Sequence, residues 1–385
     1  MKRVICPVCG NICIKYGKNK SGSQRWICKK CKSINTPKID NLTKQLNIFL
    51  KWLFSKDIQK DMPGGGRTFR RKTSKFWDIW TLPTVVEEKH SVVFVDGIYL
   101  CRNACVLICC DRNNVLGWYL CRYEHANAWI SLMSRITEPT LVVSDGGKGF
   151  NKALKKVWPH AKHQRCLFHV FSQVRRYTTT RPKTLAGAEL YALSKRLLHL
   201  ETKSEADKWI DEFLDWMRRH NKFLSQRSLD ENGNWRATHE RLLKAQRSLS
   251  RLVKEGTLFT YLDEDLIAEI GKVPSTNNQI EGGINARLRA LLRNHRGLSV
   301  ERRIKAVFWW CYVHSPRPLS VSELLKVMPT DKSIAAIYQK ISELDKRTSS
   351  IPTWGDAVVW VSYINPFLIF KMLSFFQQIR QKNFI

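Results

Sequence analysis

Two short apolar runs that each end in an aspartate constrain this chain more than any other feature. Residues 91–95 lead into Asp96, and residues 140–144 lead in the same way into Asp145. Valine-rich runs of this length are typical of buried strands. A single aspartate after a strand is usually a turn residue, but two such strands can be neighbours in a sheet. We therefore expect an α/β fold with two carboxylates at one sheet edge.

A third acidic candidate, Glu281, lies far along the chain in a stretch rich in asparagine and glycine, residues 277–285. A Gly-Gly pair directly follows both Asp145 and Glu281 and leaves space for a metal ion or a phosphate. Carboxylates that converge from separate elements suit two Mg²⁺ (or Mn²⁺) ions, which activate an attacking oxygen and stabilise a leaving oxygen. Asp96, Asp145 and Glu281 are therefore the predicted catalytic and metal-binding residues.

The order of elements around these acids predicts the fold of the core. The apolar patterns indicate three consecutive strands, a helix and a fourth strand, at residues 92–95, 104–110, 115–121, 127–136 and 140–144. Three antiparallel strands, a helix and a strand that ends in an acid are the order of an RNase H-like core. Two rival acids are set aside because Asp111 fits a hairpin turn and Glu124 fits a loop.

The remaining sequence divides into segments of different composition. Residues 172–272 have helical stripes of leucine and tryptophan and are too long for a loop, which predicts an inserted helical domain. The predicted fold class is α/β, with an RNase H-like core interrupted by an all-α insertion and preceded by a zinc ribbon and a helix-turn-helix-like segment. The predicted domains are a zinc ribbon (1–36), a helical DNA-binding segment (37–88), the first part of the core (89–171), the insertion (172–272), the second part of the core (273–330) and a helical, apolar tail (331–385).

The charge of the chain indicates a polyanionic partner. The 385 residues include 65 Lys+Arg and 33 Asp+Glu, for a formal net charge of +32. Residues 1–90 alone hold 20 Lys+Arg against 6 Asp+Glu, a net charge of +14. DNA or RNA is the expected partner, and a ribosome-associated or generally adhesive basic protein is the alternative. Because no apolar leader follows Met1, we expect a cytoplasmic protein, nucleoid-associated when it is bound to DNA, with no membrane partner.

Four cysteines near the start of the chain have the spacing of a zinc site. Cys6 and Cys9 form one Cys-x-x-Cys pair, and Cys28 and Cys31 form a second pair after an 18-residue spacer. Two such pairs complete a tetrahedral Zn²⁺ site, and so small a segment would depend on the metal for its folding. A redox pair is the alternative, and Cys13 lies outside both pairs.

Two basic helices are candidates for contact with DNA phosphates. The first is either the recognition helix of a helix-turn-helix or a solvated basic helix, and its candidate residues are Arg67, Arg70, Arg71, Lys72 and Lys75. The second follows Glu281 at helical spacing, and its candidates are Arg287, Arg289, Arg293, His295 and Arg296. We expect Asn277, Asn278 and Asn285 to orient the glutamate or the DNA.

Several motifs resemble the Mutator-like transposases of bacterial insertion sequences, in particular the subgroup with an N-terminal zinc ribbon. The resemblance covers residues 1 to about 350 and rests on Asp96-Gly97, Ser-Asp-Gly-Gly-Lys-Gly-Phe at 144–150, Trp158-Pro159, His-Gln-Arg-Cys-Leu-Phe-His at 163–169 and Asn-Gln-Ile-Glu-Gly-Gly-Ile-Asn at 278–285. It implies a DDE enzyme whose metal-binding triad is Asp96, Asp145 and Glu281. It also implies that Cys166 and His169 form the family's C-x-x-H motif, for which we favour a structural or DNA-positioning role over half a zinc site.

The sequence thus predicts a DNA transposase. It would bind the terminal inverted repeats of an insertion sequence as a dimer or larger oligomer, and would catalyse Mg²⁺-dependent strand cleavage and strand transfer. The alternatives are an RNase H-like nuclease and a catalytically inactive, transposase-derived DNA-binding protein. The apolar stretch 357–376 departs from the charged end expected of the family and leaves the inactive alternative open. We expect this stretch to pack on the core rather than to span a bilayer.

Overall fold

The computed structural model of the chain describes residues 4–36, 41–102 and 104–348, with side chains up to residue 340. The predicted apolar stretch 357–376 lies outside these residues. Three short strands, β1 (Cys13–Lys18), β2 (Gln24–Cys28) and β3 (Ile34–Asn35), form an antiparallel sheet in that order near the start of the chain. Its small core consists of the buried cysteines Cys6, Cys13 and Cys28.

Two helices follow, α1 (Asn41–Leu53) and α2 (Gly65–Thr73), and a 3₁₀ turn (Ser74–Asp78) extends α2. The sequence predicts the first basic helix over residues 67–80, but its α-helical part ends at Thr73. The helix is therefore shorter than expected. The reason is the burial of two consecutive aromatic rings, Phe76 and Trp77, which the tighter turn brings onto Phe49 of α1. Their ring centroids lie 5.6 Å and 5.0 Å from that of Phe49.

A five-stranded sheet forms the centre of the fold and confirms the α/β class. Its strands are β4 (Val92–Cys101), β5 (Ala104–Cys110), β6 (Val115–Cys121), β7 (Leu141–Ser144) and β8 (Lys162–Arg165), in the order β6-β5-β4-β7-β8. Helix α3 (Ala126–Met133) precedes β7, and α4 (Lys148–Val157) joins β7 to β8. Strand β8 was not predicted from the sequence, because its four residues, Lys-His-Gln-Arg, contain no apolar side chain.

The register of the sheet decides where the first two acids lie. Strand β4 pairs with β7 in parallel only through Phe94, which lies opposite Val143. Beyond that point β4 continues to Cys101 as the antiparallel partner of β5. The expectation that Asp96 ends its strand is therefore wrong, since Asp96 lies inside β4. It nevertheless stands two residues past the Phe94–Val143 pair, as Asp145 does, and the two acids reach the same level of the sheet.

The region predicted to be all helical is helical with one exception. It contains α5 (Leu167–Thr178), α6 (Leu185–Arg196), α7 (Lys203–Arg219), α8 (Asn221–Leu224), the hairpin strands β9 (Arg227–Leu229) and β10 (Trp235–Ala237), α9 (Glu240–Lys254) and α10 (Glu264–Ile270). The hairpin was missed because its turn signal is short. Asp230 accepts hydrogen bonds from the backbone of Asn232 and Asn234, and Gly233 supplies a φ of 76°.

The chain then returns to the sheet through a π-helical segment (Gln279–Asn285) and α11 (Ala286–Asn294), followed by α12 (Val300–Val313), α13 (Val321–Val327) and α14 (Asp331–Thr348). The two sheet faces have separate cores, as alternating residues of a buried strand require. Val93 and Val95 pack with Trp129 and Phe150 of α3 and α4. The other face joins a larger apolar cluster that includes α1, α12 and the inserted helices.

None of the helices in the described part of the chain combines the length and the apolar character needed to cross a bilayer.

Candidate metal centre at the sheet edge

Asp96 lies on the central strand β4, just beyond its pairing with β7. Hydrogen bonds to both carboxylate oxygens hold its side chain in place. The backbone N–H of Gly97 donates to Oδ1 at 2.9 Å, and the side-chain amide of Asn285 donates to Oδ2 at 2.6 Å. Burial raises the pKa of Asp96 to about 6, and the charges of Asp145 and Glu281 add to the effect. The ionised site is therefore short of positive charge, which is the condition that a bound cation relieves.

Asp145 stands in a turn that only glycine can complete. Its Oδ1 accepts a hydrogen bond from the backbone of Gly147 at 3.0 Å. Gly146 has a φ of 70°, and a Cβ there would lie 2.2 Å from a guanidinium nitrogen of Arg165. Arg165 is buried, and its Nη1 has no hydrogen-bond partner among the described residues. Gly146 therefore lets a buried cationic side chain approach directly behind Asp145.

Glu281 approaches from the π-helical segment. Such segments are rare and are frequent at functional sites. Its Oε1 lies 3.2 Å from Nδ1 of His169. Burial raises the pKa of Glu281, Asp145 adds to this effect, and Arg289 opposes it. The hydrogen bond from Asn285 to Asp96 ties the same segment to β4.

The Cys166–His169 motif joins the acid-bearing elements. The backbone N–H of Cys166 donates to the carbonyl of Ser144, the last residue of β7, at 2.9 Å. Its Sγ accepts the backbone N–H of Asn277 at 3.2 Å. The Cys166 sulfur, a His169 nitrogen and a Glu281 oxygen all lie within 4.8 Å of one another. The third potential ligand beside the motif is therefore Glu281 itself.

Two of the three asparagines expected to orient Glu281 or the DNA make contacts with β4. Asn285 donates to Asp96, and Asn277 donates its side-chain amide to the carbonyl of Val95 at 3.0 Å. Both side chains are completely buried. Periodicity alone could not find these contacts, because they join residues that lie 189 and 182 positions apart in the sequence.

Glu124 is an acidic residue that the sequence analysis set aside and that the structure places beside the site. Its Oε1 lies 2.6 Å from the position that a Cβ on Gly97 would occupy. Burial raises the pKa of Glu124 to about 7, and the charges of Asp145 and Asp96 raise it further. The only local signal for this approach was the glycine that follows Asp96. Asp111, the other rival acid, accepts two backbone hydrogen bonds within its turn, as expected.

The four N-terminal cysteines form a second candidate metal site. Their sulfurs all lie within 4.8 Å of one another, with Cys6 and Cys31 at 3.5 Å and Cys9 and Cys28 at 3.4 Å. Four thiolates at the usual Zn–S distance around one ion would stand about 3.8 Å apart. Hydrogen bonding by Asn11 lowers the pKa of Cys9 to about 6, which favours the thiolate that a metal requires. The arrangement and the donor atoms fit zinc.

The basic candidates lie on exposed faces of two helices. On α2 and the turn after it, the exposed side chains are Arg67, Arg70, Arg71, Lys72 and Lys75. On α11 they are Arg287, Arg289 and Arg293. The opposite faces bury apolar residues, among them Phe69 and Leu288.

The expectation that His295 contacts phosphate is wrong. Its side chain is buried, its Nε2 lies 2.9 Å from the carbonyl oxygen of Leu53, and its ring lies 4.5 Å from that of Trp52. The residue therefore joins α11 to α1 and faces away from solvent.

Part of this chain is similar in sequence to known proteins. Residues 83–244 match the family model described as transposase, Mutator family. Over this stretch the chain is similar to the Mutator family of transposases, and a relative from the same class of proteins supports the likeness. A transposase for insertion sequence element IS905 from Lactococcus lactis subsp. lactis (strain IL1403) is 26% identical over 166 residues, which cover 39% of this chain and 41% of that protein. The chain thus aligns with about two fifths of the relative's length.

The resemblance read from the motifs is confirmed at the level of the family, and the subgroup with a zinc ribbon stays a prediction. The matched stretch contains Asp96, Asp145 and the Cys166–His169 motif, and it ends before Glu281. The assignment of the third acid therefore depends on the contacts described above.

Proposed function

We propose that this transposase binds the terminal inverted repeats of an insertion sequence and catalyses divalent-metal-dependent DNA strand cleavage and strand transfer. The observation that carries the proposal is that the segment bearing Glu281 is hydrogen-bonded to β4, the strand of Asp96, through Asn277 and Asn285. Asp96 and Asp145 stand at one level of two parallel strands, and Glu281 raises the pKa of Asp96 from the π-helical segment. The strand order, with the first acid on the central strand, supports an RNase H-like core.

The donor set at the sheet edge suits Mg²⁺ or Mn²⁺, since these ions prefer oxygen ligands. Asp96, Asp145 and Glu281 would hold the ions. When bound, such ions supply activation of the attacking oxygen and stabilisation of the leaving oxygen. The protein's own groups prepare the ligands: Asn285 aims Oδ2 of Asp96, and the Gly147 backbone aims Oδ1 of Asp145.

For the C-x-x-H motif we propose a positioning role. Cys166 holds the backbone of Asn277 just before the π-helical segment, and His169 stands beside the carboxylate of Glu281. Because Cys166 is also bonded to the end of β7, the motif sets the distance between the strand that leads into Asp145 and the segment that carries Glu281. Neither side chain needs to touch DNA for this purpose.

DNA would be held by the positive surface of the chain, whose net charge is +32. The exposed arginines of α11 follow Glu281 in the chain, and the charge of Arg289 lowers the pKa of Glu281. Helix α2 and a zinc-loaded four-cysteine module would add contacts farther along the DNA, on a protein that acts in the cytoplasm. Two DNA ends must be joined in one reaction, so we propose a dimer or larger assembly on DNA.

A strand-transfer assay tests the proposal. Full-length protein and Mg²⁺ are incubated with a labelled DNA fragment from the flank of the element, and the Glu281→Gln variant is compared with Glu231→Gln. Glu231 is an exposed residue in the β9–β10 turn and serves as the matched control. We expect joined products with the wild type and the control, and none with Glu281→Gln. Nicked but unjoined DNA would indicate a nuclease, and binding without cleavage would indicate an inactive DNA-binding protein.

A further inference from the structure

We propose that Glu124 is a fourth carboxylate of the metal centre and supplies an oxygen ligand to an ion held by Asp96 and Asp145. The inference rests on the proposed function, because it names a further ligand of the same site. Glu124 lies in the loop between β6 and α3, outside the three elements that carry the predicted triad.

Glu124 lies close to Gly97, the residue that follows Asp96. A Cβ on Gly97 would stand 2.6 Å from Oε1 and 2.8 Å from Cδ of Glu124, distances that two unbonded atoms do not adopt. The backbone N–H of the same glycine donates to Oδ1 of Asp96. Gly97 therefore lies next to both carboxylates, and a residue with a side chain at this position would displace Glu124 from the strand that carries Asp96.

The helix that follows Asp145 packs closely against the loop that carries Glu124. Gly149 opens the first turn of α4, and a Cβ there would lie 3.0–3.1 Å from the backbone of residues 124–126. The hydroxyl of Tyr99, on β4, lies 3.5 Å from the backbone nitrogen of Glu124. The last glycine of the Asp-Gly-Gly-Lys-Gly sequence thus lets the Glu124 loop pack against the helix that follows Asp145.

Glu124 also lacks an ion-pair partner among the described residues, although the buried guanidinium of Arg165 stands behind Asp145. Within the described part of the chain, the ion pairs do not include Glu124, Asp96 or Asp145. A half-buried carboxylate beside two others is costly unless a cation joins them.

An independent observation also points to a ligand at this place. Asn285 is completely buried, and its Nδ2 donates to Asp96. The carbonyl oxygen of the same amide, Oδ1, has no hydrogen-bond partner among the described residues. A buried amide oxygen without a partner is costly, and an ion or its bound water at the Asp96 carboxylate would satisfy it.

Direct metal binding by the full-length protein tests the inference. Free Mn²⁺ is measured by electron paramagnetic resonance during titration of the zinc-loaded protein, without DNA. We expect Glu124→Gln to weaken Mn²⁺ binding by about tenfold or more, the size typical of changes in and around a metal's ligands. Asp145→Asn should do the same, and the exposed control Glu231→Gln should match the wild type.

The outcomes separate this inference from the proposed function. If Asp145→Asn weakens binding and Glu124→Gln does not, the fourth ligand is refuted and the predicted triad stands. If neither variant changes Mn²⁺ binding, the metal centre itself is refuted, and the inference with it.

Two further variants distinguish a ligand from a structural residue. Gly97→Ala should displace the Glu124 carboxylate and weaken Mn²⁺ binding, but should cause little further loss in a Glu124→Ala background. An equal loss in both backgrounds would mean that Gly97→Ala acts through another neighbour, such as the Cys105 sulfur at 3.1 Å, and would count against the inference. Glu124→Cys should cleave DNA poorly with Mg²⁺ and recover with the more thiophilic Mn²⁺. The same Mn²⁺/Mg²⁺ activity ratio in this variant and the wild type would overturn direct ligation.

Discussion

Asp96 should destabilise the metal-free protein, and replacing it should raise stability while removing activity. Burial and neighbouring carboxylates raise the pKa of Asp96 from its ordinary value of 3.8 to about 6. This difference of about two pKa units corresponds to at most about 3 kcal/mol of unfavourable free energy for the ionised side chain at neutral pH. Asp96→Asn removes the charge and keeps the oxygen that accepts from Gly97. The Asn285 amide can rotate so that its unpaired Oδ1 accepts from the new amide.

The pH dependence gives the prediction its sign. Because the folded pKa of Asp96 lies above the unfolded value, ionisation opposes folding at pH values above about 6. This penalty decreases as the pH falls through about 6 and is absent below the ordinary value of 3.8. The stability advantage of Asp96→Asn should therefore be largest near pH 7.5 and should shrink steadily towards pH 4.

Thermal unfolding of the zinc-loaded protein in buffer without Mg²⁺ is the assay. At about 2 °C per kcal/mol for a chain of this size, we expect Asp96→Asn to raise Tm by up to about 6 °C at pH 7.5. Added Mg²⁺ should raise the Tm of the wild type and leave that of the variant unchanged. A variant that melts at or below the wild-type temperature at pH 7.5 would refute the electrostatic account, and Glu231→Gln is the control for a charge change at an exposed site.

Three other perturbations test separate parts of the molecule. Cys28→Ser should release about one zinc ion per chain, measured by elemental analysis, and unfold the N-terminal module alone, because four thiolates supply its folding energy; unchanged zinc content would exclude the four-cysteine site. Asp331→Ala should cost about 1.5–3 kcal/mol in denaturant unfolding, because it removes one of the two carboxylates that lie 2.7 Å from the buried ammonium of Lys305 and leaves the more exposed Glu301 as its partner; Lys305→Met with Asp331→Ala should recover much of that loss, and a loss below about 0.5 kcal/mol in the single variant would show that the pair contributes little. His169→Ala should lower the cleavage rate by about 10–100-fold with unchanged DNA affinity, and His169→Gln should recover part of it; a loss of DNA affinity instead would assign the residue to DNA binding.

The sequence by itself determined the features that depend on local pattern. The valine-rich runs predicted strands that the structure contains, because alternation and apolar content are properties of neighbouring residues. The cysteine spacing identified four sulfurs that meet, since each Cys-x-x-Cys pair is already close in the chain. The position of Asp145 after β7 and the family motifs were likewise readable, because a short segment carries them.

Only the tertiary structure decided which distant residues meet at the site. Strand β8 has no apolar residue and became a strand by pairing with β7. Asn285 bonds to Asp96 across 189 positions, His295 turns inward to the end of α1, and Glu124 packs against Gly97 of β4. Each of these contacts depends on how sheet, loop and helix pack after the chain has folded. A residue's own neighbours in sequence do not encode that packing, and for this reason a glutamate assigned to a loop became a candidate ligand.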